Sequence, residues 1–310
     1  MKILIGLICV FTVVSVGSKA YGTDYLMGSL GDSITAGTFA DGSAIDPSSE
    51  ESSDNLSSPD GMLTPLYHIP FLGETDNRTT YSWASGQDIR SQFLMLRDNL
   101  IAGDTLTSVN SAFLGAKADS LEDQAQQIVD EMSSGKYASL KYVTLMIGAN
   151  DVCNKDYVGG TPDDQMQASI QGALEKLATI QQTEPIRILV SSIPKIPDLG
   201  SDEFRNLVTV NGVTCTTVRN ITHACPAMMN WETQDEYNSL VDQVVAKNDL
   251  LQNIVQVANQ QHSNLQVVYS GTFFSTPLQT TYMAKDCFHP NEIGQTILAA
   301  DLWKDQPWFK

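Results

Sequence analysis

Two stretches of this sequence carry side chains of the types that acyl-transfer chemistry uses. Near the amino end, Gly31-Asp32-Ser33-Ile34-Thr35-Ala36-Gly37 sets a serine between glycines that permit a tight turn. A serine hydroxyl is a weak nucleophile and needs a base, usually histidine, held in place by a third group. The chain has only 4 histidines, so the base can be sought by elimination. His68 lies beside Tyr67, Ile69 and Pro70, His223 lies close to Cys225, and His262 closes an amphipathic stretch. None of these has an orienting acid in its local sequence. His289 does, in Asp286-Cys287-Phe288-His289-Pro290, where the carboxylate of Asp286 can turn back onto the imidazole. Such a pair can serve as base and orienter for attack by Ser33 on an ester carbonyl.

Attack on an ester also requires donors aimed at the oxyanion, each worth roughly 3 kcal/mol. A helix that begins near Ser33 would offer its free N–H groups, including that of Ser33 itself. Gly115 has no side chain to keep its N–H from close approach to a substrate, and Asn150, in Gly148-Ala149-Asn150-Asp151, carries an amide donor. Asp32 and Asp151 read as supports for their turns, and Trp83 as core or pocket wall. Taken singly, each block is ordinary turn punctuation. Together they supply the roles that one reaction needs, and that reaction requires neither a metal nor an organic cofactor.

The elements that position these residues follow from hydrophobic patterning. Short apolar, β-rich runs at 25–30, 108–113, 142–147, 186–191 and 265–269 are strand-length. Between them, Leu121, Ala125, Ile128, Val129 and Met132 share one helical face, with Gly135 as the stop. Met166, Ile170, Leu174, Leu177 and Ile180 mark a second helix, and Leu240, Val241, Val244, Val245, Leu251, Ile254 and Val255 a third. Pro290 suits the first position of a closing helix that runs through Leu302. Apolar strands alternating with such helices predict an α/β fold, a parallel sheet covered on both faces. In that architecture the site sits at the carboxyl ends of the strands, where Ser33, Gly115 and Asn150 all fall.

Residues 1–20 have a secretory layout: Lys2, an apolar stretch over 3–14, and Ser18-Lys19-Ala20 as a cleavage site. Removal near Ala20 leaves one domain, 21–310, in an extracellular or periplasmic setting. Losing Lys2 and Lys19 takes the formal charge from −18 to −20. So acidic a chain is a poor partner for nucleic acid. Four cysteines remain, Cys153, Cys215, Cys225 and Cys287, an even number that suggests two disulfides of open connectivity. Cys215, His223 and Cys225 lack a nearby fourth ligand, so zinc is not expected. Asn55, Asn77 and Asn220 head glycosylation sequons, which matter only in a eukaryotic host. The acidic segment 41–60 shows no periodicity and reads as a solvated insertion.

Ser33, Gly115, Asn150 and His289 stand in the order of the four blocks that name the SGNH, or GDSL, hydrolase superfamily, which this chain resembles from Tyr25 to about Leu302. Finer features resemble its phospholipase B-like branch: Ser82-Trp83-Ala84-Ser85-Gly86, Asn110 through Asp119, Gln124-Ala125, and Gly148 through Cys153. The resemblance implies a flavodoxin-like three-layer fold of about five parallel strands and hydrolysis of carboxylic esters, often of lipids. A phospholipase or lysophospholipase is the first expectation, with transient contact at a membrane or micelle surface. A short-chain or carbohydrate O-acetyl esterase, or a lipid acyltransferase, is the alternative on the same scaffold. Ile34 stands where the family often has leucine, and the segments 41–60 and 198–230 are less family-like. Cys153 and Cys287 each lie close to a proposed catalytic side chain, so a bridge between them, clamping those loops, is the expected pairing.

Overall fold

A computed structural model describes residues 22–42, 80–209 and 212–309. The expected leader, nearly all of the acidic segment, His68 and the sequons at Asn55 and Asn77 lie outside the described residues. Five strands form one sheet: β1 (Asp24–Gly31), β2 (Thr105–Asn110), β3 (Ser139–Met146), β4 (Ile186–Ser191) and β5 (Leu265–Ser270). Their order is β2-β1-β3-β4-β5 and every pairing is parallel. This is the flavodoxin-like order, whose direction of winding reverses between β1 and β3 and opens a crevice there. The central strand β3 buries Leu140, Tyr142, Val143, Thr144, Leu145 and Met146, as a strand covered on both faces must.

The second strand begins and ends earlier than its apolar run predicts, at 105–110 and not 108–113. β2 is an edge strand, covered less than its neighbours, so its exposed Thr105 and Thr107 carry no apolar signal.

Eleven α-helices are described: α1 (Ser33–Ala36), α2 (Gln92–Asp98), α3 (Leu121–Ser133), α4 (Ala149–Val152), α5 (Asp163–Ala178), α6 (Asp202–Arg205), α7 (Cys215–Thr222), α8 (Pro226–Met229), α9 (Gln234–Gln261), α10 (Thr272–Ser275) and α11 (Glu292–Asp305). The three helices read from periodicity are α3, α5 and α9. The last opens on a capping box in which Thr233 and Glu236 satisfy each other's backbone N–H groups. α11 starts later than expected. Asn291 is its N-cap, accepting from the Gly294 N–H, and Pro290 lies outside the helix, bridged to Met283. An asparagine side chain satisfies a free helical N–H directly, and this places the start after the proline.

The disulfides differ from the expected pairing. Cys153 bonds Cys225, and Cys215 bonds Cys287, with Cα separations of 5.0 and 5.4 Å. Between β4 and α9 the chain makes an excursion through α6, α7 and α8 that reaches the carboxyl edge of the sheet. Each loop of the expected pair is therefore fastened to this excursion and not to the other loop. The segment 198–230, one of the two with less resemblance to the family, is thus bridged to the end of α4 and to the turn before α11.

Candidate active site

Ser33 is the first residue of α1, directly after β1. Gly31 has φ 150°, and a Cβ there would lie 2.3 Å from the Met146 carbonyl and 2.6 Å from Thr35 Oγ1, so glycine is required for the exit from the strand. Asp32 caps the helix, its Oδ1 accepting from the Ile34 N–H at 2.9 Å, and Gly37 closes it at φ 76°. So short a helix would not hold on its own backbone bonds. Buried side chains supply the rest. Gln124 takes both groups of Gly31, accepting from its N–H at 2.7 Å and donating to its carbonyl at 3.0 Å. Ser82 and Asn110 donate to the Thr35 carbonyl at 2.6 and 3.0 Å. Gln295 of α11 donates to the Ile34 carbonyl at 3.0 Å and accepts from the Trp83 N–H at 2.9 Å. Trp83 is fully buried in the core.

That last contact seats α11 against α1 and carries the preceding turn to Ser33. Within the turn, the Ala284 N–H donates to the His289 carbonyl at 2.8 Å and the Cys287 N–H to the Ala284 carbonyl at 3.0 Å. Asp286 Oδ1 accepts from the N–H groups of Phe288 and His289 at 3.2 and 3.1 Å, which leaves Oδ2 to bond the imidazole Nδ1. His289 Nε2 lies 2.7 Å from Ser33 Oγ. The rings of Phe39 and Phe288, with centroids 5.5 and 5.1 Å from that of His289, flank the imidazole. Phe39 was not found in the sequence, because nothing local marks a phenylalanine as a neighbour of a distant histidine.

All three polar side chains of this series are buried. Burial pushes the Asp286 carboxyl up, but the neighbouring His289, its hydrogen bond and two backbone N–H groups outweigh it and hold Asp286 below its usual value. Asp32 behaves oppositely. Burial pushes its carboxyl up to about 7; the Ile34 N–H and the His289 charge pull it back, while Asp151 adds to the rise. Its Oδ2 has no hydrogen-bond partner among the described residues.

The other two predicted residues meet across the crevice. Gly115 adopts φ 80°, and Asn150, in α4, donates from Nδ2 to the Ala116 carbonyl at 2.9 Å. Asn150 thus anchors the turn that presents Gly115, a role the sequence did not suggest. A primary amide has two N–H bonds, so one remains for a substrate oxygen. Asp151 supports the same turn, its carboxylate oxygens accepting from the Ala118 N–H at 3.3 and 3.0 Å. Among the described residues, neither the Ser33 N–H nor the Gly115 N–H is given to another acceptor. Ser29, by contrast, is buried within β1, its hydroxyl without a partner among the described residues.

Next to the segments that carry the serine and histidine lies an apolar cleft, open to solvent on one side, with an enclosed volume of about 30 Å³. Its walls include Leu199 and Met283 together with Ile34, Ala149, Phe288 and Pro290, the sequence neighbours of Ser33, Asn150 and His289. Among the described residues, no three His, Cys, Asp or Glu side chains converge in a way that could hold a metal ion.

A doubly wound parallel sheet, a serine hydroxyl bonded through imidazole to a carboxylate, and N–H groups unclaimed among the described residues are the features of carboxylic-ester hydrolases that work from a flavodoxin-like scaffold. The model of the GDSL-like Lipase/Acylhydrolase family matches residues 28–302. The chain belongs to that family. It is 24% identical over 316 residues to the membrane-associated phospholipase B1 of Mus musculus and 24% identical over 295 residues to that of Homo sapiens. These matches cover 90% of this chain and 19% of each relative, so the chain spans about a fifth of the length of the curated relatives it matches. Among solved structures, the lipase Lip_vut3 from a goat rumen metagenome is 12% identical, with 92% of this chain and 99% of that chain covered and a TM-score of 0.47. The carbohydrate acetylesterase Est24 of Sinorhizobium meliloti is 11% identical, with 90% and 97% covered and a TM-score of 0.45.

Proposed function

We propose that the chain hydrolyses lipid esters, as a phospholipase or lysophospholipase, with Ser33 as nucleophile, His289 as general base and Asp286 as its orienter. The observation that carries this reading is the 2.7 Å contact between Ser33 Oγ and His289 Nε2, with Asp286 bonded to the opposite ring nitrogen. As Ser33 attacks the carbonyl carbon, its proton passes to His289. The imidazolium that forms is stabilised by Asp286, and the same proton then goes to the leaving alcohol. The Ser33 N–H, the Gly115 N–H and the Asn150 amide receive the oxyanion. Water, activated by His289, attacks the acyl-enzyme and releases the acid.

The apolar walls of the cavity favour an acyl chain over a sugar, because a carbohydrate would leave its hydroxyls without partners there. The phospholipase B1 relatives point to the same substrate class. Export from the cell, with 21–310 as one domain, is consistent with the two disulfides, and no described helix is long and apolar enough to cross a membrane.

Purified protein incubated with lysophosphatidylcholine, phosphatidylcholine and a series of esters of increasing acyl length tests the reading. Fatty-acid release that extends to long chains and disappears in Ser33→Ala is the expected result. Activity confined to acetate and butyrate esters would favour the short-chain or carbohydrate esterase, and transfer of the acyl group to an added alcohol the acyltransferase. Folded protein inactive on every ester would overturn the assignment.

A further inference from the structure

Arg219 is buried on α7, and all of its hydrogen bonds go to backbone carbonyls. Its Nε and Nη2 donate to the Cys287 carbonyl at 3.0 and 2.7 Å, and its Nη1 donates to that of Leu199. Among the described residues, no carboxylate bonds to it. A buried cation without a contacting anion is costly, and it persists where the surroundings use it. Cys287 sits between Asp286 and His289 at φ 63°, a left-handed conformation that a residue other than glycine adopts only when its neighbours enforce it. Two constraints reach this residue from one face of α7: Cys215 holds its side chain by a disulfide, and Arg219, one helical turn on, holds its carbonyl.

We propose that Arg219 is a positioning residue for the Asp286–His289 pair, fixing the strained turn between them and placing a positive charge near the carboxylate. The inference rests on the assignment of Ser33, His289 and Asp286 above. Burial lowers the guanidinium to about 10, with Asp286 opposing that fall and Arg205 adding to it, so Arg219 stays charged at neutral pH. The groups that act on His289 are then Asp286 in its own turn, Asp32 from the end of β1, and Arg219 from α7 through Asp286. A cation near Asp286 favours its carboxylate over the protonated acid, and it is the carboxylate that orients His289. Removing the cation makes the Asp286 carboxylate easier to protonate, and the acid limb of kcat/KM moves to higher pH. The second arm, on Leu199, ties the same arginine to a wall of the apolar cavity.

Arg219→Gln and Arg219→Lys, prepared with both disulfides formed, separate charge from geometry. Active sites are titrated with a fluorophosphonate, and kcat and KM are measured across pH on one ester. Arg219→Gln is expected to lose on the order of 100-fold in kcat with little change in KM, as for a small misplacement of a reacting group, and to shift the acid limb upward. Arg219→Lys keeps the charge but not the paired bonds, so kcat falls while the acid limb stays in place. If Arg219→Gln does not fold, Arg219→Lys decides. A lysine variant with wild-type kcat, or a glutamine variant with an unmoved acid limb, overturns the proposal. Failure of both variants to fold makes Arg219 a folding residue and overturns it too. A wild-type protein that takes no label at Ser33 would instead overturn the hydrolase assignment on which the proposal rests.

Discussion

Replacing Asp32 by asparagine tests the electrostatics beside Ser33, the proposed nucleophile. The Asp32 carboxyl moves from 3.8, its ordinary value, to about 7 in the folded chain, chiefly through burial. At 1.36 kcal/mol per unit, that difference amounts to about 4 kcal/mol between the two protonation states. Between these two values the folded state keeps a proton that the unfolded state has lost, so the contribution of Asp32 to stability falls as pH rises from about 4 to 7 and is level above that. The asparagine of Asp32→Asn would still accept from the Ile34 N–H, and it cannot ionise. The cost of a buried amide N–H where Oδ2 lacks a partner applies at every pH and cancels between conditions. Comparing about pH 4.5 with about pH 9, the difference in unfolding free energy between variant and wild type should therefore swing by about 3 kcal/mol in favour of the variant. Urea unfolding followed by tryptophan fluorescence, with the disulfides intact, reads that swing directly. A difference that is the same at both pH values, or that swings the other way, would refute the burial argument for Asp32.

Asp286→Asn keeps the shape of the turn but leaves His289 without a carboxylate, and kcat should fall about 10⁴-fold, as measured by ester hydrolysis at neutral pH. Gln124→Ala strips both hydrogen bonds from Gly31 and leaves its buried N–H and carbonyl unmatched. A loss of about 2–4 kcal/mol in unfolding free energy is expected, and a change below 1 kcal/mol would mean that the α1 turn holds itself. Met283→Trp narrows the apolar cavity from its wall, so hydrolysis of long-chain esters should drop at least roughly 10-fold relative to butyrate. An unchanged chain-length profile would place the acyl chain elsewhere.

The sequence by itself determined the fold class and pointed to the residues of the candidate site, and the reasons are local. Apolar runs of strand length and faces of helical period report burial directly, so β4, α3, α5 and α9 were legible, as was the exit of β1 into Gly31-Asp32-Ser33. Asp286 and His289 were legible as a pair because three residues of backbone suffice to bring carboxylate and imidazole together. The edge strand β2 was misplaced because exposed threonines carry no apolar signal, and the start of α11 because a proline and an asparagine side chain both suit a helix entrance.

What only the tertiary structure decided was everything that depends on chain segments far apart in sequence. Ser33 and His289, 256 residues apart, meet because Gln295 bonds the Ile34 carbonyl. The cysteines pair as 153 with 225 and 215 with 287 because the excursion through α7 and α8 lies over the carboxyl edge of the sheet. Arg219 had no signal at all, since its role exists only once α7 lies against the Cys287 turn. Types and spacing fix which groups can react, whereas their mutual distances are set by packing among segments that no local pattern relates.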